Sequence, residues 1–162
     1  MKKLIIILVL CCTPCQAEMI KPISKMPLLK QHQLACLALV VYHESRGLSS
    51  KDQVIVAQVV MNRVKSGKFG NSICEVAFAP YQFEWTNNLS RKHLPKEKIA
   101  WIKAQKVALA VYRKKVPNYS KGALWFYAPA NMDKKPSWSK NMVIASRGDS
   151  GQHIYLKQSN SK

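Results

Sequence analysis

"VVYHESRG", residues 40–47, is the stretch on which the reading of the fold turns. It closes a nearly unbroken apolar run from Leu34 to Val41, interrupted only by Cys36. A run that is apolar on nearly every side predicts a helix from about Gln33 to Ser45, buried all round. That helix delivers Tyr42, His43 and Glu44 before the chain stops at Gly47. An acid is electrostatically misplaced there. The helix macrodipole is negative at its C-terminal end, and burial disfavours a charged carboxylate. Both effects push the Glu44 pKa upward, toward the range a general acid needs near neutral pH. Arg46 pulls the other way, and the rival reading is a partly exposed helix-end glutamate paired with Arg46.

Working outward, Ser50 followed by Gln53 fits a capping box, and Asp52 suits the positive end of a second helix. Val56, Val59, Val60 and Val64 share one face of it, and Gly67 supplies the stop. A third helix is expected from near Pro95 to about Lys115. Trp101, Ala104, Ala108, Val111 and Tyr112 form its apolar stripe, and Lys103, Lys106 and Arg113 form an opposite face read as solvated. After Pro117 the pattern changes to strands in "GALWFYAP", "MVIAS" and "HIYL", with "RGDSG" as a tight turn between the last two. The fold class that follows is α+β, mainly helical, in a single domain with a small C-terminal β-hairpin or sheet.

The ends and the composition bound the setting. Lys2 and Lys3, the nine apolar residues Leu4 to Cys12, and "TPCQA" ending at Ala17 read as a secretion signal over residues 1–17. Nine residues fall short of the about 20 that span a bilayer, although a retained anchor with transient membrane association is the alternative. Residues 18–32 read as a linker or N-terminal arm and residues 33–157 as the domain, expected to be monomeric. Removing the signal leaves Cys36 and Cys74, and two cysteines in an exported domain suggest one disulfide, with buried free thiols as the alternative. The net charge of +18, or +16 without Lys2 and Lys3, calls for a polyanionic partner. Export to the periplasm or the exterior argues against nucleic acid and for anionic envelope polymers.

Eight acids are few enough to take singly. Glu18 lies in the arm, Asp52 and Glu97 in first turns of helices, and Asp133 and Asp149 in polar loops; Glu75 follows Cys74. Each has an adequate structural reading. Glu44 and Glu84 do not. No metal site is read, because the four histidines are dispersed, and no cofactor is implied, there being no Gly-rich phosphate loop.

Several short motifs then fall in order: His43-Glu44-Ser45-Arg46-Gly47, Asn62-Arg63 at the end of the next helix, Cys74, Gln82-Phe83, and later "GALWFYAP", "PSW" and "GQHIYL". In this order and spacing the chain, from Leu34 to Leu156, resembles the SleB-type cell wall hydrolases. The resemblance implies a lysozyme-like fold and cleavage of peptidoglycan glycan strands, with Glu44 as the acid. Tyr127 and His153 match late positions of the family, Tyr127 to orient Glu44 or bind substrate, and His153 to bond within the cleft or support the core. Gln82 offers an amide for an N-acetyl group or hydroxyl, and Phe83 and Trp85 offer flat surfaces for sugar rings; a corner of the core is the alternative for both.

An ordinary glycosidase uses two carboxylates. A lytic transglycosylase needs one. The scarcity of acids therefore favours a lytic transglycosylase with Glu44 as single acid and base. A muramidase-type hydrolase that adds a second carboxylate and a non-enzymatic cationic envelope-binding protein are the alternatives. Glu84, the possible second acid, is the residue whose role stays open.

Overall fold

A computed structural model describes residues 25–87 and 94–159. The expected signal segment and Glu18 lie outside the described residues. The elements in chain order are α1 (Leu28–Ser45), α2 (Ser50–Ser66), α3 (Ile73–Phe78), a 3-10 turn (Glu84–Thr86), α4 (Lys98–Tyr112), strand β1 (Trp125–Tyr127), two further 3-10 turns (Pro129–Asn131 and Ser137–Ser139), and strands β2 (Met142–Arg147) and β3 (Ile154–Gln158).

Helix α1 is the hub. It packs against α2, α3 and α4. Leu37, Val40 and Val41 are fully buried, and Cys36, Ala38 and Tyr42 nearly so, but Ala35 is exposed and Leu39 half-buried, so the helix keeps an open side rather than being buried all round. Its start differs from expectation: the helix begins at Leu28 rather than near Gln33, with Leu28 and Leu29 exposed. The Tyr42 hydroxyl accepts from the backbone N–H groups of both Lys96 and Glu97, each at 3.2 Å. It thereby fixes where α4 enters, satisfying the open N–H of its N-cap residue Glu97 and that of the residue before it. Helix α4 begins at Lys98, just after the expected Pro95, and ends at Tyr112.

The capping of α2 corrects the sequence reading by one residue. Ser49, not Ser50, is the N-cap; its hydroxyl oxygen accepts from Asp52 N–H at 3.1 Å, and its O–H donates to Asp52 Oδ2 at 2.5 Å. The consecutive serines made two boxes available. Asp52 closes the one used, while Gln53 turns back to donate to the Leu48 carbonyl at 3.1 Å. Gly67 ends α2 with φ 66°, the left-handed cap expected of it. Helix α3, where only a cysteine-bearing turn was expected, is capped by Ser72 with Glu75 reaching back to it.

The disulfide joins Cys36 in α1 to Cys74 in α3, with Cα atoms 5.3 Å apart. The sheet is antiparallel in the order β1-β3-β2, with Phe126 opposite Tyr155. Of "RGDSG", Arg147 ends β2 opposite Ile154, and Gly148 to Gly151 lie in the connection of the β2–β3 hairpin, where Gly151 N–H donates to the Gly148 carbonyl.

The far end of α2 ties helices to sheet. The Gln58 side chain donates to the Pro117 carbonyl and accepts from Tyr119 and Ser120 N–H. Asn62 donates to the Ala123 carbonyl and Arg63 to the Leu124 carbonyl, at 2.9 and 2.7 Å. The Asn62-Arg63 pair thus fixes the segment that becomes β1.

Candidate active site

The last turn of α1, the turn around Glu84–Thr86, the end of α2 and the strands β1 and β3 converge on one cleft of about 710 Å³. Glu44, Gln82, Phe83, Trp85, Tyr127 and His153 all line it, joined by Arg63, Phe126 and Asn131. Its size is in the range of a binding pocket for an extended ligand.

Burial dominates at Glu44, pushing its carboxyl up to about 7; the Trp85 hydrogen bond and the Arg63 charge restrain the rise, and Glu84 adds to it. Near neutral pH such a group is divided between acid and carboxylate, the state a proton donor needs. Arg46 is engaged elsewhere. Its Nε lies 2.9 Å from Glu97 Oε1, and its guanidinium stands over the Tyr42 ring. The helix-end pair offered as the alternative therefore forms with Glu97, not with Glu44.

Trp85 is placed by contacts on several sides. It stacks on His43 at 4.4 Å between ring centroids and meets the edge of Phe78 at 5.8 Å. This aims its indole N–H at Glu44 Oε1, 3.0 Å away. Phe83 is only 3% exposed and packs within the core while also bordering the cleft. Glu84 is exposed at the rim.

The strands supply the opposite wall. Tyr127 sits in β1 with its ring edge against Trp138 at 6.2 Å. His153 precedes β3, and its Nδ1 lies 3.4 Å from the Tyr155 hydroxyl, which also bonds the Asp52 carbonyl. Burial lowers the His153 pKa against the opposing pull of Asp52, favouring a neutral ring.

Arg63 is the residue that the sequence reading named in a motif but gave no role. It is 5% exposed, and its guanidinium lies over the rings of Phe69 and Phe83 at 5.0 and 5.4 Å. Its Nη1 is buried without a hydrogen-bond partner among the described residues. Phe126 and Asn131 were also not singled out. One cluster of metal-ligating side chains occurs among the described residues, His32 with Cys36 and Cys74, and its two sulfurs are joined to each other.

Fold and cleft define a mainly helical, lysozyme-like α+β domain with a half-buried carboxyl in its groove. The cell wall hydrolase family model matches residues 47–156, and the chain belongs to that family. The match starts at Gly47, so Glu44 lies just before it. A spore cortex-lytic enzyme of Bacillus cereus is 30% identical over 127 residues, covering 78% of this chain and 45% of that protein. The chain thus spans about half the length of the curated relatives it matches. Among solved structures, the catalytic domain of the Bacillus cereus SleB protein superposes with a TM-score of 0.60 at 29% identity, over 78% of this chain and 91% of that one. The catalytic domain of the germination-specific lytic transglycosylase SleB from Bacillus anthracis gives 0.58 at 30% identity, over 78% and 95%.

Proposed function

We propose that this chain cleaves peptidoglycan glycan strands between N-acetylmuramic acid and N-acetylglucosamine, as a lytic transglycosylase in which Glu44 is first acid and then base. The observation that carries the reading is a carboxyl held near pKa 7 by burial, facing a cleft and bonded by one N–H donor. Glu44 gives its proton to the glycosidic oxygen, and the C1–O bond breaks with its electrons passing to the departing sugar. The carboxylate left behind takes the proton of the muramic C6 hydroxyl as O6 closes on C1. No water is consumed, and the product carries a 1,6-anhydro end. The solved relative from Bacillus anthracis bears the name of a lytic transglycosylase, which supports this choice.

Gln82, Phe83, Trp85, Tyr127 and His153 contact the sugars in this reading, and the +18 charge draws the protein to an anionic wall. The disulfide supports work outside the cytoplasm. A two-carboxylate hydrolase is the second reading, because Glu84 lines the same cleft.

The deciding experiment digests purified sacculi with wild type, Glu44→Gln and Glu84→Gln, followed by mass spectrometry of the released muropeptides. Glu44→Gln should lose at least about 10²–10⁴-fold in rate while still binding sacculi. Glu84→Gln should keep most activity and yield 1,6-anhydro ends. Reducing ends, with activity lost in both variants, would establish the hydrolase instead. Near wild-type cleavage by Glu44→Gln would remove both.

A further inference from the structure

We propose that Arg63 is a positioning residue for this reaction: its buried guanidinium holds Glu44 in the carboxylate form between the two proton transfers. The proposal rests on the reading of Glu44 as both acid and base, a role with two opposed requirements. A carboxyl that is only desolvated donates its proton readily and then reclaims one from any source. To serve as a base it must persist as an anion while the C6 hydroxyl approaches.

Of the charges that act on Glu44, Arg63 is the cation and Glu84 the anion. His43 neighbours it on α1, Glu84 comes from the turn before Trp85, Tyr127 from β1 and His153 from the start of β3. Glu84 disfavours the anion, and burial favours a neutral His153. Arg46 is paired with Glu97. Arg63 reaches the cleft from α2, 95% removed from solvent, so its charge is little screened.

Arg63 is also held rigidly. Nε is spent on the Leu124 carbonyl at 2.7 Å, and the guanidinium lies over Phe69 and Phe83. The buried Nη1, without a hydrogen-bond partner among the described residues, is the notable feature, since a buried donor is ordinarily satisfied. A cation kept in place with a donor unspent is a field prepared for a charge that forms only during reaction. Arg63 and Glu44 attract each other in the resting state as well, each favouring the charged form of its partner.

The test reads Glu44 without reading activity. The Trp85 indole N–H bonds the Glu44 carboxyl, so its ¹⁵N-indole resonance, assigned by its disappearance in Trp85→Phe, should titrate with a midpoint near pH 7. It should not titrate in Glu44→Gln. In Arg63→Met the midpoint should rise by about one unit, and Arg63→Lys should recover part of that change. The kcat should fall in Arg63→Met with KM little altered. Because Arg63→Met also loses the bond to Leu124 and could fail to fold, a second measurement leaves Arg63 in place. The Arg63 Nε–H resonance of the unmutated protein should titrate with the same midpoint and be flat in Glu44→Gln. An unchanged Trp85 midpoint in Arg63→Met, or a flat Arg63 signal in wild type, overturns the proposal while leaving the transglycosylase reading intact. Cleavage that survives Glu44→Gln overturns that reading, whatever the titrations show.

Discussion

The indole N–H of Trp85 donates to Glu44 Oε1 at 3.0 Å, joining residues 41 positions apart. The bond favours the carboxylate over the acid, opposing the burial that raises the pKa. Replacing Trp85 by Phe keeps a flat apolar wall but removes the donor. Glu44 should then stay protonated to higher pH, and the alkaline limb of the cleavage profile should move upward. Hydrogen bonds to charged groups are worth about 1.5–3 kcal/mol, so the rate at neutral pH should fall about 10-fold or more. A pH–rate profile of Trp85→Phe on soluble glycan chains checks both. A lowered rate with an unmoved limb would assign Trp85 to substrate binding alone.

Cys36 and Cys74 are bridged across a sequence separation of 38 residues, clamping α3 to the hub helix. In the chain-entropy model a loop of that size gives about 4 kcal/mol. Exported, unreduced protein should show neither thiol to alkylating reagents, and reduction should lower the Tm. Two labelled cysteines in correctly exported protein would contradict the bridge.

Gly148 is placed against the buried Asp52. A Cβ at that position would fall inside the space of Asp52 Oδ1. The carboxylate has little freedom to yield, because Ser49 Oγ–H and Ser150 N–H both donate to its Oδ2. Gly148→Ala should destabilise the domain by about 1–3 kcal/mol or more, measured by urea unfolding. The strain falls on the hairpin loop that leads to His153, so cleavage should fall more than binding to sacculi. Gly151→Ala is a useful contrast, since nothing lies within 4 Å of where its Cβ would stand and only the φ of 67° would strain the alanine.

The core helix was legible because Leu34–Val41 offers no polar face, although Ala35 within it stays exposed, and Glu44 was legible because nothing structural asks for an acid at its end. Gly67 and the three strand segments followed from turn chemistry and alternation. Arg63 was not legible as a site residue, although a signal was present. It stands one turn beyond Val59 and Val60, on the stripe that buries those valines, where a charge needs a reason. Ending a helix with a basic residue has an ordinary macrodipole explanation, and that explanation hid it. The choice between Ser49 and Ser50 was invisible for a different cause. Either serine could cap, and the outcome rests on the Gly148–Ser150 segment, distant in sequence, that meets Asp52.

The raised pKa of Glu44 also predicts how stability varies with pH. Below the ordinary value of 4.5 the carboxyl is protonated in both folded and unfolded chains and carries no penalty. Between 4.5 and about 7 the unfolded chain ionises while the folded one keeps its proton. The unfolded state then binds fewer protons, so stability falls as pH rises through that window. Above it the folded chain carries the full cost of a carboxylate drawn partly out of water, about 3 kcal/mol for the rise from 4.5 to about 7. Glu44→Gln has no charge to bury and keeps an oxygen for the Trp85 N–H. Its stability relative to wild type should therefore increase by about 3 kcal/mol between pH 4 and pH 8, with most of the change between pH 5 and 7. Urea unfolding of both proteins across that range provides the comparison. A difference that stays constant with pH would mean that Glu44 ionises in the fold as freely as in water. In that case a neutral-pH proton donor would have to be sought elsewhere in the cleft.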